Sequence, residues 1–342
     1  MKKLLNTLYI TSPDTYLALI GENVVVKKDE EIALRVPLHN LEAIVAFNYS
    51  GASPALIRKC GENGINISFF QGDRFCGRFV GQENGNVLLR KVQYRRSDSE
   101  SDSLPIAKSM ILGKIYNQRY VLQRAIRDHA LSIDCDKLNS VSRFLKQSMQ
   151  CVKKCENLEQ LRGYEGEAAS LYFSVFDELI IQQKESFVFN GRNKRPPLDN
   201  VNALLSFSYS LLTTECAGAL YSIGLDPYVG FLHRDRPGRL SLALDLLEEF
   251  RAPIADRFVL TLINKREVGK KEFHKMEDGA VYIEDEARKR IIRKWQENRK
   301  ELMMHPFLKE KIQIGLLPYV QAMLLARFLR GDMDAYPPYF KR

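Results

Sequence analysis

Three side chains able to ligate a metal stand in distinct contexts in the second half of the chain. They are Glu165 in Leu161-Arg-Gly-Tyr-Glu-Gly-Glu, His233 in Gly230-Phe-Leu-His-Arg-Asp-Arg-Pro-Gly, and Glu248 in Leu244-Asp-Leu-Leu-Glu-Glu-Phe-Arg. At 3.6 residues per turn, Leu161, Ala168, Tyr172, Val175 and Leu179 form one apolar stripe of a helix expected from Leu158 to Ile181, and Glu165 falls on that stripe. A carboxylate in a low-dielectric face needs a hydrogen bond, a cation or a metal. Arginine is an ordinary partner for such an acid, and Arg162 or Arg234 could serve.

The leucine-rich helix expected from Leu240 to Phe250 carries Asp245, Glu248 and Glu249, and Asp245 and Glu248 are three apart on one face. His233 precedes Glu248 by 15 residues, so a short turn could fold its imidazole over that face. One histidine with two or three carboxylates is a hard, oxygen-rich donor set, suited to Mn²⁺ or Mg²⁺ rather than to structural zinc.

The contexts become specific together. Arg162-Gly-Tyr-Glu-Gly, Phe189-Asn-Gly-Arg-Asn-Lys-Arg-Pro-Pro-Leu-Asp-Asn-Val, Gly230-Phe-Leu-His, and Asp245-Leu-Leu-Glu-Glu-Phe-Arg-Ala-Pro followed by Asp256-Arg occur in that order. In order and spacing they resemble the signatures of the CRISPR-associated adaptation endonuclease/integrase, the Cas one family, over nearly the whole chain. The wording of the last motif resembles type I systems, subtype I-C among them.

The resemblance implies a metal-dependent DNA enzyme that acts with a small partner protein to insert captured fragments into a CRISPR repeat. It implies catalytic residues Glu165, His233, Glu248 and Asp245, with Mn²⁺ or Mg²⁺ held by Glu165, His233 and Glu248. The implied chemistry is transesterification at phosphorus: attack by a DNA 3′-hydroxyl gives integration, and attack by water gives cleavage. Double-stranded DNA and a homodimer formed through the N-terminal domain are further implications. Two other readings of the same residues are a general branched-DNA repair nuclease and a non-catalytic DNA-binding scaffold.

Composition agrees with a polyanionic partner: Lys plus Arg number 51 against 42 Asp plus Glu, a net charge of +9. Arg192, Lys194 and Arg195 precede Pro196-Pro197, which would display their charges on a stiffened loop. Arg234, Arg236 and Arg239 follow His233 and are expected to face DNA phosphates. The basic run from Arg288 to Arg299 reads first as a solvated helix face. His274 and His305 read as surface or packing residues, no Ser or Cys stands beside a recognisable His base, and Gly72, Gly77, Gly81 and Gly85 do not open a nucleotide-binding helix.

The six cysteines show no Cys-x-x-Cys spacing. With no export signal or membrane-length apolar run, they suggest a cytoplasmic protein.

The elements that must hold these residues suggest an α+β protein. Residues 1–96 read as a β-sandwich-like domain with strands Leu4–Ile10, Tyr16–Ile20, Val24–Lys27, Ile32–Val36, Ala43–Phe47, Ile65–Phe70, Arg74–Val80 and Val87–Leu89, interrupted by a helix from Pro54 to Cys60 capped by Ser53. The serine-rich run at 97–106 reads as a linker. From 107 to 342 helical periodicity dominates, with further helices over Ile106–His129, Lys137–Cys151, Asn200–Ile223, Pro253–Asn264, Glu284–Met304 and Ile312–Leu329, and a hairpin at Phe273–Ile283.

Overall fold

The computed structural model describes residues 7–10, 12, 14–29, 31–41, 43–46, 51–71, 74–79, 87–193 and 196–342. The chain divides into two compact units, the first made of Met1–Asn86 with Arg288–Leu302 and Gln313–Leu316, the second of Val87–Ala287, Met303–Ile312 and Leu317–Arg342. The expected α+β architecture is the one observed.

In the first unit β1 (Thr7–Ile10), β5 (Ala43–Ala46), β6 (Asn66–Gln71) and β7 (Arg74–Phe79) form a mixed sheet, parallel from β1 to β6 and antiparallel at β7. An antiparallel meander of β2 (Thr15–Ile20), β3 (Asn23–Lys28) and β4 (Glu31–Pro37) turns at Gly21, whose φ of 60° suits a residue without a Cβ. Alternation places Leu17, Val24 and Val26 inward, where they share a core with Ile10, Ile44, Ile67 and with Leu56 and Cys60 of α1 (Pro54–Glu62). Ser53 caps α1 as expected, accepting from Leu56 N at 3.2 Å. Residues 4–6, Phe47 and Val80 of the expected strands lie outside the described residues.

The second unit departs from the reading at its start. The segment expected to finish the β domain and then to link is helical: α2 (Val87–Asp98) is followed at once by α3 (Glu100–His129). The serines make this helical corner rather than a flexible break, because Ser99 accepts from Asp102 N at 3.3 Å as the cap of α3 and Ser103 Oγ donates to Arg96 O at 2.8 Å. Leu89, Gln93, Ser103 and Ile106 are buried.

Then come α4 (Cys135–Lys154), α5 (Leu158–Ser174), a 3₁₀ turn at Phe176–Leu179, α6 (Asn200–Ile223) and α7 (Ser241–Leu247). A π-helical turn, Arg251–Asp256, joins α7 to α8 (Arg257–Asn264) where continuous helix was expected from Pro253. Pro253 lies inside this wide turn, where its missing N–H is more easily spared than in a regular helix. The hairpin is present as β8 (Phe273–Lys275) and β9 (Val281–Ile283). The last helices are shorter than expected: α9 spans Asp285–Lys300 and α10 spans Leu317–Leu329, with a small ladder of β10 (Leu302–Met304) and β11 (Lys311–Gln313) taking the intervening ends. No described helix is long and apolar enough to cross a membrane.

Candidate metal and DNA site

Asn157 caps α5, accepting from Gln160 N at 2.9 Å, and the predicted stripe is buried from Leu161 to Leu179. Glu165 finds its cation in an unexpected place. Neither Arg162 nor Arg234 pairs with it; Lys114 of α3 does, its ammonium bonded to Glu165 and lying 2.8 Å from Glu248 Oε2. Lys114 recurs on the buried face of α3 with Ala107, Met110, Ile111, Gln118 and Val121, so a lysine amid helical apolar spacing was the signal in the sequence. Arg162 instead donates from Nε and Nη2 to the Leu232 carbonyl at 3.2 and 2.9 Å, fastening α5 to the residue before His233.

The loop carrying His233 is built around a buried carboxylate. Asp245 of α7 accepts from the backbone N–H groups of Phe231, Leu232 and His233 at 2.7, 2.9 and 3.0 Å, and its Oδ1 lies 2.5 Å from His233 Nδ1. Such a carboxylate favours the proton on Nδ1 and leaves Nε2 as the free ring nitrogen. Asp245 therefore positions the histidine from behind.

Glu248, at the end of α7, is almost wholly buried and bonded to Arg251 Nη2 at 3.0 Å. Burial works to raise its carboxyl, and Arg251, Lys114 and His233 outweigh burial, holding it down at about 2. Lys114 sits off the line of a directed hydrogen bond to Glu248 Oε2, so this buried oxygen has charge compensation without a donor aimed at it. Glu249, its neighbour, faces the other way. Its carboxyl accepts from Tyr336 Oη at 2.6 Å, Gln321 Nε2 at 2.9 Å and Tyr339 N at 2.6 Å, and burial raises it to about 8 against those bonds.

The expected basic groups divide. Arg192 is folded inward rather than displayed: Asn202 Oδ1 at 2.6 Å and Ser206 Oγ at 3.1 Å, both on α6, take up its guanidinium, which lies 5.3 Å from the Tyr209 ring centre. Lys194 and Arg195 lie outside the described residues. Arg234 and Arg236 are exposed and Arg239 is half-buried on the loop after His233. His274 is exposed and His305 is buried, 3.2 Å from Gln321 Oε1.

Beside the carboxylates opens a cavity of about 650 Å³ whose lining includes Lys114, Gln118, Glu165, Arg192, Tyr209 and Arg251. Asp256 also reaches it, accepting from Tyr209 Oη at 2.5 Å; burial raises Asp256 to about 6 despite that bond, Tyr172 and the two arginines.

Among the described residues no three His, Cys, Asp or Glu side chains stand together as a ready metal cluster. The donor chemistry nevertheless fits a divalent ion. Glu165 and Glu248 already share one cation, one oxygen of Glu248 lacks a directed donor, and Asp245 holds His233 by Nδ1 and leaves its Nε2 free.

The sequence matches the family described as CRISPR associated protein Cas1 over residues 8–297. It is 49% identical to CRISPR-associated endonuclease Cas1 2 of Rhodospirillum rubrum, covering 99% of both chains. It is 47% identical to CRISPR-associated endonuclease Cas1 1 of Chlorobaculum tepidum, covering all of both. The fold is similar to that of a casposase bound to integration product, with a TM-score of 0.85 at 21% identity over 99% of this chain and 95% of that one. It is also similar to a Cas1 protein from Thermotoga maritima, with a TM-score of 0.82 at 23% identity over 97% and 99%. On these matches, spanning both units from the first strand to the acidic helix and beyond, the chain belongs to the Cas1 family.

Proposed function

We propose that this chain is a divalent-metal-dependent DNA endonuclease and integrase of CRISPR adaptation, which joins the 3′-hydroxyl ends of a DNA fragment to a phosphodiester of the repeat array. The observation that carries the reading is the pair of carboxylates, Glu165 and Glu248, facing one cation, with His233, oriented by Asp245, acting electrostatically on Glu248. Its full-length relatives are named CRISPR-associated endonucleases, and the similar casposase is described with integration product.

Glu165, Glu248 and Nε2 of His233 would hold Mn²⁺ or Mg²⁺, which when bound supplies Lewis-acid polarisation of a phosphoryl oxygen and a lower pKa for the attacking hydroxyl. The chain's own groups prepare the rest. Arg251 keeps Glu248 ionised and Asp245 keeps His233 turned outward. Arg234, Arg236 and Arg239 bind phosphates of the duplex on either side of the scissile bond, and the exposure of the first two supports this.

The active form is a homodimer working with a small partner protein in the cytoplasm. Support for the partner comes from a fold match of TM-score 0.82 to part of a Cas6-RT-Cas1–Cas2 complex, over 98% of this chain and 36% of that one.

The test is strand joining: protein with and without the small partner, a short duplex with free 3′-hydroxyls, a supercoiled plasmid carrying a repeat array, and Mn²⁺ or EDTA. Metal-dependent joining that is lost in Glu165→Ala and His233→Ala is the expected result. Cleavage without joining would assign a repair nuclease instead, and DNA binding indifferent to EDTA and to Glu165→Ala would assign a scaffold.

A further inference from the structure

Lys114 lies with its ammonium bonded to Glu165 and ion-paired with Glu248, the two carboxylates proposed to hold the metal, and with a side chain only 5% exposed. Its stem comes from the buried face of α3, so the charge has been brought into the protein and cannot be reckoned as a surface ion pair. Arg251 supplies the second cation, and the four groups Lys114, Arg251, Glu165 and Glu248 sum to zero charge. A divalent ion added to this set with Lys114 in place would leave two uncompensated positive charges within a few ångströms of each other. That arrangement costs far more than exchanging one cation for another.

The surroundings offer the ammonium somewhere to go. Gln118 lies one helical turn further along α3 on the same face, and its Oε1 is buried without a hydrogen-bond partner. Lys114 and Gln118 both line the 650 Å³ cavity. A four-carbon stem with free rotors can carry the ammonium from the carboxylates to that side, where a carbonyl oxygen accepts from it. Glu165, with its side chain 27% exposed, leaves an approach open to an ion from solvent.

We infer that Lys114 is a resident counter-ion of the metal site: a divalent ion enters by exchange with the Lys114 ammonium, which moves to the Gln118 side of the cavity. Lys114 thus sets how tightly the site takes metal. It holds Glu165 and Glu248 in ligating distance of one cation and competes with the ion that replaces it. The inference rests on the proposed placement of the metal at these two carboxylates.

The experiment is direct Mn²⁺ binding, followed by the loss of the free-ion electron paramagnetic resonance signal, to full-length protein previously stripped with EDTA. Wild type is compared with the neutral variants Lys114→Met and Lys114→Gln and the charged variant Lys114→Arg. Both neutral variants are expected to bind Mn²⁺ at least about tenfold more tightly than wild type, because a competing charge has been removed. Lys114→Arg is expected to stay within about threefold of wild type, because the charge remains. In EDTA the neutral variants should unfold at lower temperature than wild type and gain more from added Mn²⁺.

Neutral variants that bind no more tightly than wild type would overturn the exchange, and so would Lys114→Arg binding as tightly as Lys114→Met. A Glu165→Gln control separates the two levels. If Glu165→Gln leaves Mn²⁺ binding unchanged, the placement of the metal fails; if it weakens binding while Lys114 substitutions do nothing, only the exchange fails.

Discussion

Gln93 and Asp226 pair as two strands would: the Gln93 amide donates to the Asp226 carbonyl at 2.7 Å and accepts from the Asp226 N–H at 2.9 Å. The same Nε2 also donates to Val229 O at 2.8 Å, so one buried side chain on α2 pins both sides of the turn that leads into Gly230 and His233. Gln93→Ala would strand three part-buried backbone groups, those of Asp226 and Val229. It is expected to destabilise the protein by about 3 kcal/mol in urea unfolding, at net values near 1 kcal/mol for each of the three lost bonds. It should also slow strand joining although Gln93 touches no proposed ligand.

Asp245→Asn tests the orientation of His233. An amide cannot accept from His233 Nδ1 and from three backbone N–H groups in the way a carboxylate does. Replacing an outer-shell carboxylate of this kind costs about 10- to 100-fold in metal affinity or activity. Nitrogen-15 NMR of the imidazole should report a loss of the single Nδ1–H tautomer, and an unchanged tautomer with unchanged Mn²⁺ affinity would contradict the positioning role.

Gly230→Ala tests the packing of the same loop. A Cβ there would lie 2.8 Å from Asp245 Oδ2 and 2.9 Å from Ser241 Cβ, so loop and helix would have to part. Overpacking of this size costs about 1–3 kcal/mol. The shift should appear both as a lower Tm and as weaker Mn²⁺ binding, since the atoms displaced are those that aim His233.

Glu249 supplies a pH dependence. Its carboxyl is raised from 4.5 to about 8 in the folded chain, so between those values the folded state holds a proton the unfolded state has released. Its contribution to stability is complete below pH 4.5, falls as pH rises, and is lost above about 8, a change on the order of several kcal/mol. Glu249→Gln keeps an oxygen for Gln321 and Tyr339 and removes the titration. Guanidinium unfolding at pH 6 and pH 9 should therefore show the variant gaining on wild type at the higher pH, and equal slopes would refute the assignment.

Much of the fold was legible because its signals are local. Asn200–Ile223 was read to the residue, with Asp199 capping its start and Gly224 in the left-handed region at its end. The acids were legible too, since Glu165 and Glu248 break leucine-rich faces whose neighbours are buried as the spacing requires. Their partner was not. Lys114 precedes Glu165 by 51 residues on another helix, and nothing in either segment encodes which helices meet.

The inward turn of Arg192 is invisible in the sequence for a related reason. Pro196 and Pro197 announce a loop, but whether an arginine in it faces solvent depends on Asn202 and Ser206, which reach it only once α6 is in place. The serines at 97–103 mislead because the residue type that favours loops also caps helices. Val87-Leu88-Leu89 is too short a run to separate strand from helix by period alone.

The carboxylate of Asp245 gives the loop ahead of α7 a property that irregular backbone rarely has. Three consecutive amide protons, those of Phe231, Leu232 and His233, are held by one buried acceptor, as firmly as a ladder strand would hold them. Their exchange with deuterated solvent should follow the slow, globally governed kinetics of the core helices, while the exposed Arg234 and Arg236 beyond them exchange at once. The loop is a pinned platform ending in an exposed basic fringe, and the boundary between the two falls at His233.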